Sequence, residues 1–177
     1  MNRDKAQLNL PDGLLIEQVF SQLEPHFNEI IVSASETNCS FFKKYRTVVD
    51  EKPGQGPLQG ILSGLKTVSG SSGAFCIAID IPEIDIRLLE RIYSSIDRYE
   101  IVVTQNPAGL FEPLYAYYSC SVIPKIDFLL NAGIKKVLDL YPISRTKIIK
   151  SDRDKALLNL NTPEDLAKYL ALKKKVR

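Results

Sequence analysis

The sequence predicts an α/β fold in three layers, α/β/α, with a mainly parallel sheet and a single domain over residues 1–177. Three observations lead there. Segments with strand-type and helix-type apolar spacing alternate along the chain, and no repeat, linker or low-complexity stretch interrupts them. Ala74-Phe75-Cys76-Ile77-Ala78-Ile79 has no polar alternation, the pattern of a strand covered on both faces as in a parallel sheet. The composition is that of an ordinary globular protein, 45% hydrophobic and 25% charged. At this length about 70% of the unfolded surface is buried, so the core needs no disulfide or metal staple.

The elements follow from spacing and punctuation. Gln7 to Leu10 is a short stretch ahead of a Pro11-Asp12-Gly13 turn, after which Leu14, Leu15, Gln18, Val19 and Leu23 recur at helical intervals. Glu29 to Ser35 reads as a strand, Asn38 to Tyr45 as a short helix and Thr47-Val48-Val49 as a short strand. Asp50 to Gly56 is a loop, and Pro57 opens a helix with Leu58, Ile61, Leu62 and Leu65 on one stripe, ended by the Gly70-Ser71-Ser72-Gly73 turn. The apolar strand and Asp80 come next. Then follow a helix from Asp85 to Arg98, strands from Glu100 to Thr104 and Glu112 to Ser119, and helical stretches from Val122 to Leu130 and Ile134 to Leu140. A strand from Thr146 to Lys150, an extended Leu157 to Asn161 and a helix from Pro163 to Leu172 finish the chain.

Composition excludes several function classes. With 23 Lys and Arg against 21 Asp and Glu, the net charge of +2 gives no broad electrostatic footprint for nucleic acid. His26 is the single histidine, which sets aside zinc sites with several histidines and nucleophiles activated by histidine. Cys39, Cys76 and Cys120 are odd in number and widely spaced, the usage of reduced packing thiols in a cytoplasmic protein. No apolar run approaches the ~18 residues of a membrane span, and Arg3, Asp4 and Lys5 are followed by none, so neither a membrane nor a signal peptide is expected. The Lys173-Lys174-Lys175-Val176-Arg177 run reads as a solvated helix end.

Three features bear on chemistry. Asp80 ends the most apolar strand, where ligands of open parallel sheets bind; it is read either as a carboxylate for a divalent metal or as a turn cap. The segment Asp50-Glu51-Lys52-Pro53-Gly54-Gln55-Gly56-Pro57-Leu58-Gln59-Gly60 places glycines where a base or phosphate would approach a helix N-terminus, and reads equally as an ordinary loop with Pro57 at the first helical position. Asn159 and Asn161 face the same way on an extended chain, ahead of Thr162-Pro163-Glu164-Asp165, a capping arrangement that needs no function.

In order, Asp-Lys-Ala near the start, Gly-Pro-Leu-x-Gly after a strand-end Asp, an apolar strand ending Asp-x-Pro, Glu-Pro-Leu-x-Ala-x-Tyr and Asn-x-Asn-Thr-Pro-Glu-Asp resemble the molybdenum cofactor guanylyltransferases, the MobA-like proteins, from Asn2 to about Leu170. The resemblance implies a Rossmann-like nucleotidyltransferase fold and transfer of GMP from GTP to the terminal phosphate of molybdopterin, with Mg2+ present and pyrophosphate released. It implies that Lys5 contacts nucleotide phosphate, that Asp50 and Gly56 lie on the guanine nucleotide side, and that Asp80 binds magnesium. Ser33 falls where some relatives have an Asn near the nucleotide, and Asn159 and Asn161 match paired asparagines on the pterin side. Glu112 lines the acceptor side, while Tyr115 reads as a buried sheet residue. Partners implied are GTP, molybdopterin, and other molybdenum cofactor proteins or acceptor enzymes. A phosphoryl-type transfer demands alignment and charge neutralisation more than basic catalysis, so the absence of a catalytic histidine fits.

The sequence departs from the family at its start. The family's first strand and most of its Gly-rich phosphate loop have no counterpart ahead of Met1-Asn2-Arg3-Asp4-Lys5. The expectations are an overlooked upstream start, a shortened chain, or a relative that has lost the loop and its activity. The first is preferred, and weak or absent transfer is expected of the chain as it stands. Alternatives within and beyond the enzyme class are a molybdopterin cytidylyltransferase and a nucleotide- or partner-binding module without catalysis.

Overall fold

The computed structural model describes residues 8–10, 13–34, 42, 44–68, 72–151, 160 and 162–176. Lys5, Asn159 and Asn161, with residues 38–41 and 43 of the short helix expected from Asn38 to Tyr45, lie outside the described residues. Strands β1 (Asn9–Leu10) and β2 (Gly13–Leu14) form a small antiparallel ladder leading into helix α1 (Leu15–Leu23). Leu15, Ile16, Val19, Phe20 and Leu23 are the buried stripe that the helical spacing requires.

Strands β3 (Ile31–Ala34) and β4 (Arg46–Val49) pair in parallel. Helix α2 (Pro57–Thr67) runs back from the end of β4 and packs over β3, β4 and the next strand, β5 (Gly73–Ile77). At its far end Thr67 O accepts from Arg46 Nη2 at 3.0 Å, next to the start of β4. A helix that returns over the sheet in this way leaves β4 and β5 pointing in one direction. Leu58, Ile61, Leu62 and Leu65 are all at most 2% exposed. Each contributes roughly 1.5–3 kcal/mol by burial.

Helix α3 (Ile86–Tyr93) follows, shorter than expected, and leads to β6 (Ile101–Gln105) and β7 (Phe111–Ser119). A 3-10 turn at Cys120–Val122 precedes helix α4 (Ile123–Asn131), and the helix expected near residues 134–140 is reduced to a 3-10 turn at Val137–Leu140. Strand β8 (Thr146–Lys150) and helix α5 (Pro163–Val176) complete the fold. The larger sheet has the order β5-β7-β6-β8. Strand β7 is antiparallel to both β5 and β6, because a short hairpin joins it to β6, whereas β8 pairs with β6 in parallel. Prevalence of one strand direction is therefore retained, with one strand reversed.

Two sequence expectations change here. Strand β5, read as covered on both faces, is only half-buried along its length, and among the described residues its one ladder partner is β7. The enclosed strand is β6, paired on both sides, with Ile101, Val102, Val103 and Thr104 all at 0% exposure. Gly73, read as part of a turn, instead begins β5: a Cβ there would lie 2.3 Å from Tyr118 O, so the glycine permits close backbone approach. Thr162 and Asp165 do form the reciprocal cap, at 2.9 and 3.1 Å.

Candidate functional site

The parallel strands β3 and β4 end together with Ser33 and Asp50 at their ends, and Ile79, the residue before Asp80, packs in one apolar cluster with Ala34 at the end of β3. Ser33 Oγ donates to Asp50 Oδ1 at 2.9 Å. Helix α2 passes close by at Gly60, where a Cβ would stand 3.1 Å from Ser33 Oγ and 3.9 Å from Asp50 Oδ1. The two glycines of Gly56-Pro57-Leu58-Gln59-Gly60 thus have different causes. Gly60 makes room for the Ser33–Asp50 pair, whereas Gly56 has φ of 72° and open space around it, so its backbone demands glycine. Gly56 also caps α2 without a side-chain hydrogen bond, and Pro57 follows at the first turn. That end of the helix carries no side-chain cap to compete with an anion.

Asp80 sits in the loop between β5 and α3, half-buried, with Oδ1 screened from solvent. The loop is tied down at several points. Ala78 N donates to Leu114 O at 3.0 Å, Ile81 N to Ala78 O at 3.2 Å, and Leu160 N to Asp80 O at 2.8 Å. The last bond brings the centre of the Asn-Leu-Asn segment to Asp80 itself.

Glu112 lies beside a bulge. Val103 pairs with Ala116 but Thr104 with Glu112, so Pro113, Leu114 and Tyr115 bow out of the β6–β7 ladder, Tyr115 keeping its pairing with Ile77 of β5. Their carbonyls are all used: Pro113 O accepts from Tyr118 Oη at 2.8 Å, Leu114 O from Ala78 N at 3.0 Å, and Tyr115 O from Thr104 Oγ1 at 3.1 Å. The Glu-Pro-Leu-Tyr motif is therefore the bulge, and its consequence is to aim Glu112. Asn106 Nδ2 donates to Glu112 Oε1 at 3.2 Å. Burial pushes the Glu112 carboxyl above the usual range; the Asn106 bond opposes this, and the charge of Asp80 adds to the push. The Ala78 N–Leu114 O bond puts the two stretches side by side, Asp80 two residues beyond the one and Glu112 two residues before the other.

Among the described residues no group of three or more His, Cys, Asp or Glu could hold a metal. A cation here would have Asp80, with Glu112 beside it, and would take its other ligands from substrate and water. That donor set, hard oxygens and few of them, suits a hard divalent cation. Like-charged carboxylates in partly desolvated surroundings are what a cation relieves, so the residues present fit the metal. The Cys76 thiol takes no part: burial pushes it up to about 12, which keeps it protonated and unreactive.

The structure brings Ser33 to Asp50, and Asp80 to Glu112 and Leu160. Sequence reasoning missed Asn106 and Thr104. The turn signal Asn106-Pro107-Ala108-Gly109 was the available clue to the first, since Asn106 also organises its own hairpin through Leu110 N at 2.9 Å. No local signal marks Thr104.

Residues 1–148 match a family described as the MobA-like NTP transferase domain. A probable molybdenum cofactor guanylyltransferase of Pelotomaculum thermopropionicum is 32% identical over 95% of this chain and 84% of its own length. Another, from Carboxydothermus hydrogenoformans, is 30% identical over 97% of this chain and 89% of its own. Among solved structures, molybdopterin-guanine dinucleotide biosynthesis protein A from Archaeoglobus fulgidus superimposes with a TM-score of 0.82 at 22% identity, covering 98% of this chain and 92% of that one. No helix among the described residues is long and apolar enough to cross a membrane.

Proposed function

Because this chain belongs to the MobA-like NTP transferase domain family, we propose that it is a molybdenum cofactor guanylyltransferase, moving GMP from GTP to the terminal phosphate of molybdopterin. The observation that carries this reading is the placement of oxygen-bearing side chains at strand ends: Ser33 bonded to Asp50, and Asp80 on the loop whose Ala78 N bonds Leu114 O, two residues beyond Glu112. The chemistry needs little more. A new bond joins the acceptor phosphate oxygen to the α-phosphorus, the α–β bridge breaks, and its electron pair leaves with pyrophosphate. Such transfers depend on alignment and on spreading negative charge.

Asp80 is the group for Mg2+, which when bound polarises the α-phosphate and neutralises charge on the leaving group, and Glu112, expected from the sequence on the acceptor side, is here read as adding a second carboxylate near that cation. Asp50, oriented by Ser33 and given room by Gly60, serves the nucleoside side. The uncapped start of α2 offers N–H groups to phosphate, and Lys5 adds a cation. Asn159 and Asn161, the sequence neighbours of Leu160, serve the acceptor in this reading. The reading adds GTP, Mg2+ and a cytoplasmic setting, with other molybdenum cofactor proteins or acceptor enzymes as partners. The phosphate nucleophile is already ionised at neutral pH, so no general base is required.

Pyrophosphate release with GTP, Mg2+ and molybdopterin tests it. The expected result is release that needs all three, with Asp80→Asn lowering the rate about 10^3-fold, the scale of losing one strong electrostatic stabiliser. Equal rates in the two proteins, or consumption of CTP in preference to GTP, would overturn the reading.

A further inference from the structure

The loop that carries Asp80 leaves β5 through backbone bonds at Ala78, Asp80 and Ile81, but from Pro82 to Asp85 backbone polar groups are met by side chains from distant elements. Gln22, on the last turn of α1, donates from Nε2 to Pro82 O at 2.9 Å and accepts at Oε1 from Ile84 N at 3.0 Å. These two backbone groups flank Glu83, and they are the pair that one residue of a parallel neighbouring strand would engage. The side-chain amide thus stands in for a strand. Its second Nε2 hydrogen goes to Gln18 O at 2.9 Å, within its own helix. Turning the amide over would set its oxygen against two carbonyls and its NH2 against an N–H, so one orientation alone satisfies all three partners.

One residue further on, the Tyr115 hydroxyl takes both polar groups of Asp85: it donates to Asp85 O and accepts from Asp85 N, each at 3.1 Å. Tyr115 is at 0% exposure in β7, with its ring edge-on to Phe75 at 5.0 Å, so the hydroxyl is rigidly placed. The same strand carries Glu112 three residues earlier. With Leu160 N on Asp80 O, the segment from Asp80 to Asp85 is therefore fixed from α1, from β7 and from the chain ahead of α5.

We propose that Gln22 and Tyr115 are positioning residues, which clamp the Pro82–Asp85 backbone so that the Asp80 carboxylate is held in a cation-binding orientation beside Glu112. The proposal rests on the reading of Asp80 as the metal carboxylate. Neither side chain touches substrate or metal; each acts through the loop. Displacing a first ligand by its support commonly costs 10- to 100-fold in metal affinity.

The test is Mn2+ binding to the full chain, followed by electron paramagnetic resonance of the free ion, with hydrogen exchange at the Ile84 and Asp85 amides measured alongside. Gln22→Met keeps length and apolar contact but removes all three hydrogen bonds. It is expected to weaken Mn2+ binding about tenfold and to speed Ile84 exchange, with the thermal midpoint close to that of the parent. Tyr115→Phe keeps the ring and is expected to cost about threefold, with faster exchange at Asp85. Asp80→Asn is the reference for loss of the ligand. If Asp80→Asn loses Mn2+ while Gln22→Met and Tyr115→Phe bind it as tightly as the parent, the positioning role is wrong and the metal reading stands. If Asp80→Asn itself binds Mn2+ unchanged, the metal reading falls, and the proposal with it.

Discussion

The two ends of strand β6 hold carboxylates in opposite circumstances. At the amino end Glu100, 13% exposed at its side chain, accepts from Lys125 Nζ at 2.8 and 2.9 Å, from Arg145 N at 2.8 Å and from Ser121 Oγ at 3.2 Å. The Arg145 backbone bond and then the Lys125 bond hold its carboxyl below the usual range. At the carboxyl end, opposite Thr104, Glu112 has the Asn106 amide on one oxygen and the Asp80 charge nearby, and its carboxyl is pushed up. Withdrawing a charge from water costs free energy unless donors replace the water. Donors replace it at Glu100, and the result is a staple between β6, α4 and the start of β8. At Glu112 they do so only in part, and the imbalance is what a cation would correct. Ionisable groups in conflict mark function more often than groups at rest.

That contrast breaks most readily at Glu100. Replacing it by Gln leaves Lys125 without its carboxylate and is expected to cost about 1–3 kcal/mol, read as a lower urea midpoint at neutral pH, with pyrophosphate release per folded molecule unchanged. The pH dependence has a definite sign. Because the folded-state value lies below the ordinary 4.5, this stabilisation is present above that value and is lost as pH falls through the lowered one. Glu100→Gln should therefore flatten the acid limb of the stability curve. An unchanged urea midpoint would mean that the two ends do not differ as described.

Glu112→Gln should do the reverse. A carboxyl raised in the fold favours stability below the ordinary glutamate range and loses that contribution as pH rises through its raised value. Removing its charge is then neutral or stabilising at pH 7, by less than about 1 kcal/mol. Binding of Mg2+, measured by competition with Mn2+, should weaken about fivefold as one carboxylate near the cation is lost. Marked destabilisation with unaltered metal affinity would make Glu112 a structural residue after all.

One side of this contrast was legible in the chain itself. Asp80 stood out because it ends an apolar run, and Glu112 because it opens a motif shared with the family; nothing local marked Glu100, whose donors come from α4 and from the residue before β8. Tyr115 was read as buried, and it is, at 0% exposure. What stayed hidden depends on distance along the chain. The Gln22 amide meets Pro82 and Ile84 across about sixty residues, as 60 and 62 positions, and an unremarkable Gln on an amphipathic helix carries no sign of that. The exposure of β5 was hidden too, since an apolar run shows that a strand is suited to a sheet interior but not which neighbours complete it.

Asp50 supplies the intermediate case and the finest test. Its Oδ1 accepts from a neutral hydroxyl, Ser33 Oγ at 2.9 Å, rather than from a cation, so its charge is less matched than that of Glu100. Gly60→Ala probes the pair without touching either partner. In an unobstructed helix the change would stabilise by about 1 kcal/mol. Here the new Cβ would stand 3.1 Å from Ser33 Oγ, tighter than ordinary contact, so the hydroxyl must give way by a few tenths of an ångström. The cost of that displacement offsets the gain in helix propensity, and the net change in stability should stay within about 0.5 kcal/mol. The Ser33–Asp50 bond, however, is bent from its geometry, and GTP affinity by calorimetry should fall about threefold, the scale of one weakened hydrogen bond. A variant that gained the whole helix increment while binding GTP as before would show that Ser33 has room to spare. Gly60 would then belong with Gly56, a glycine whose neighbourhood is open, and Asp50 would owe none of its orientation to α2.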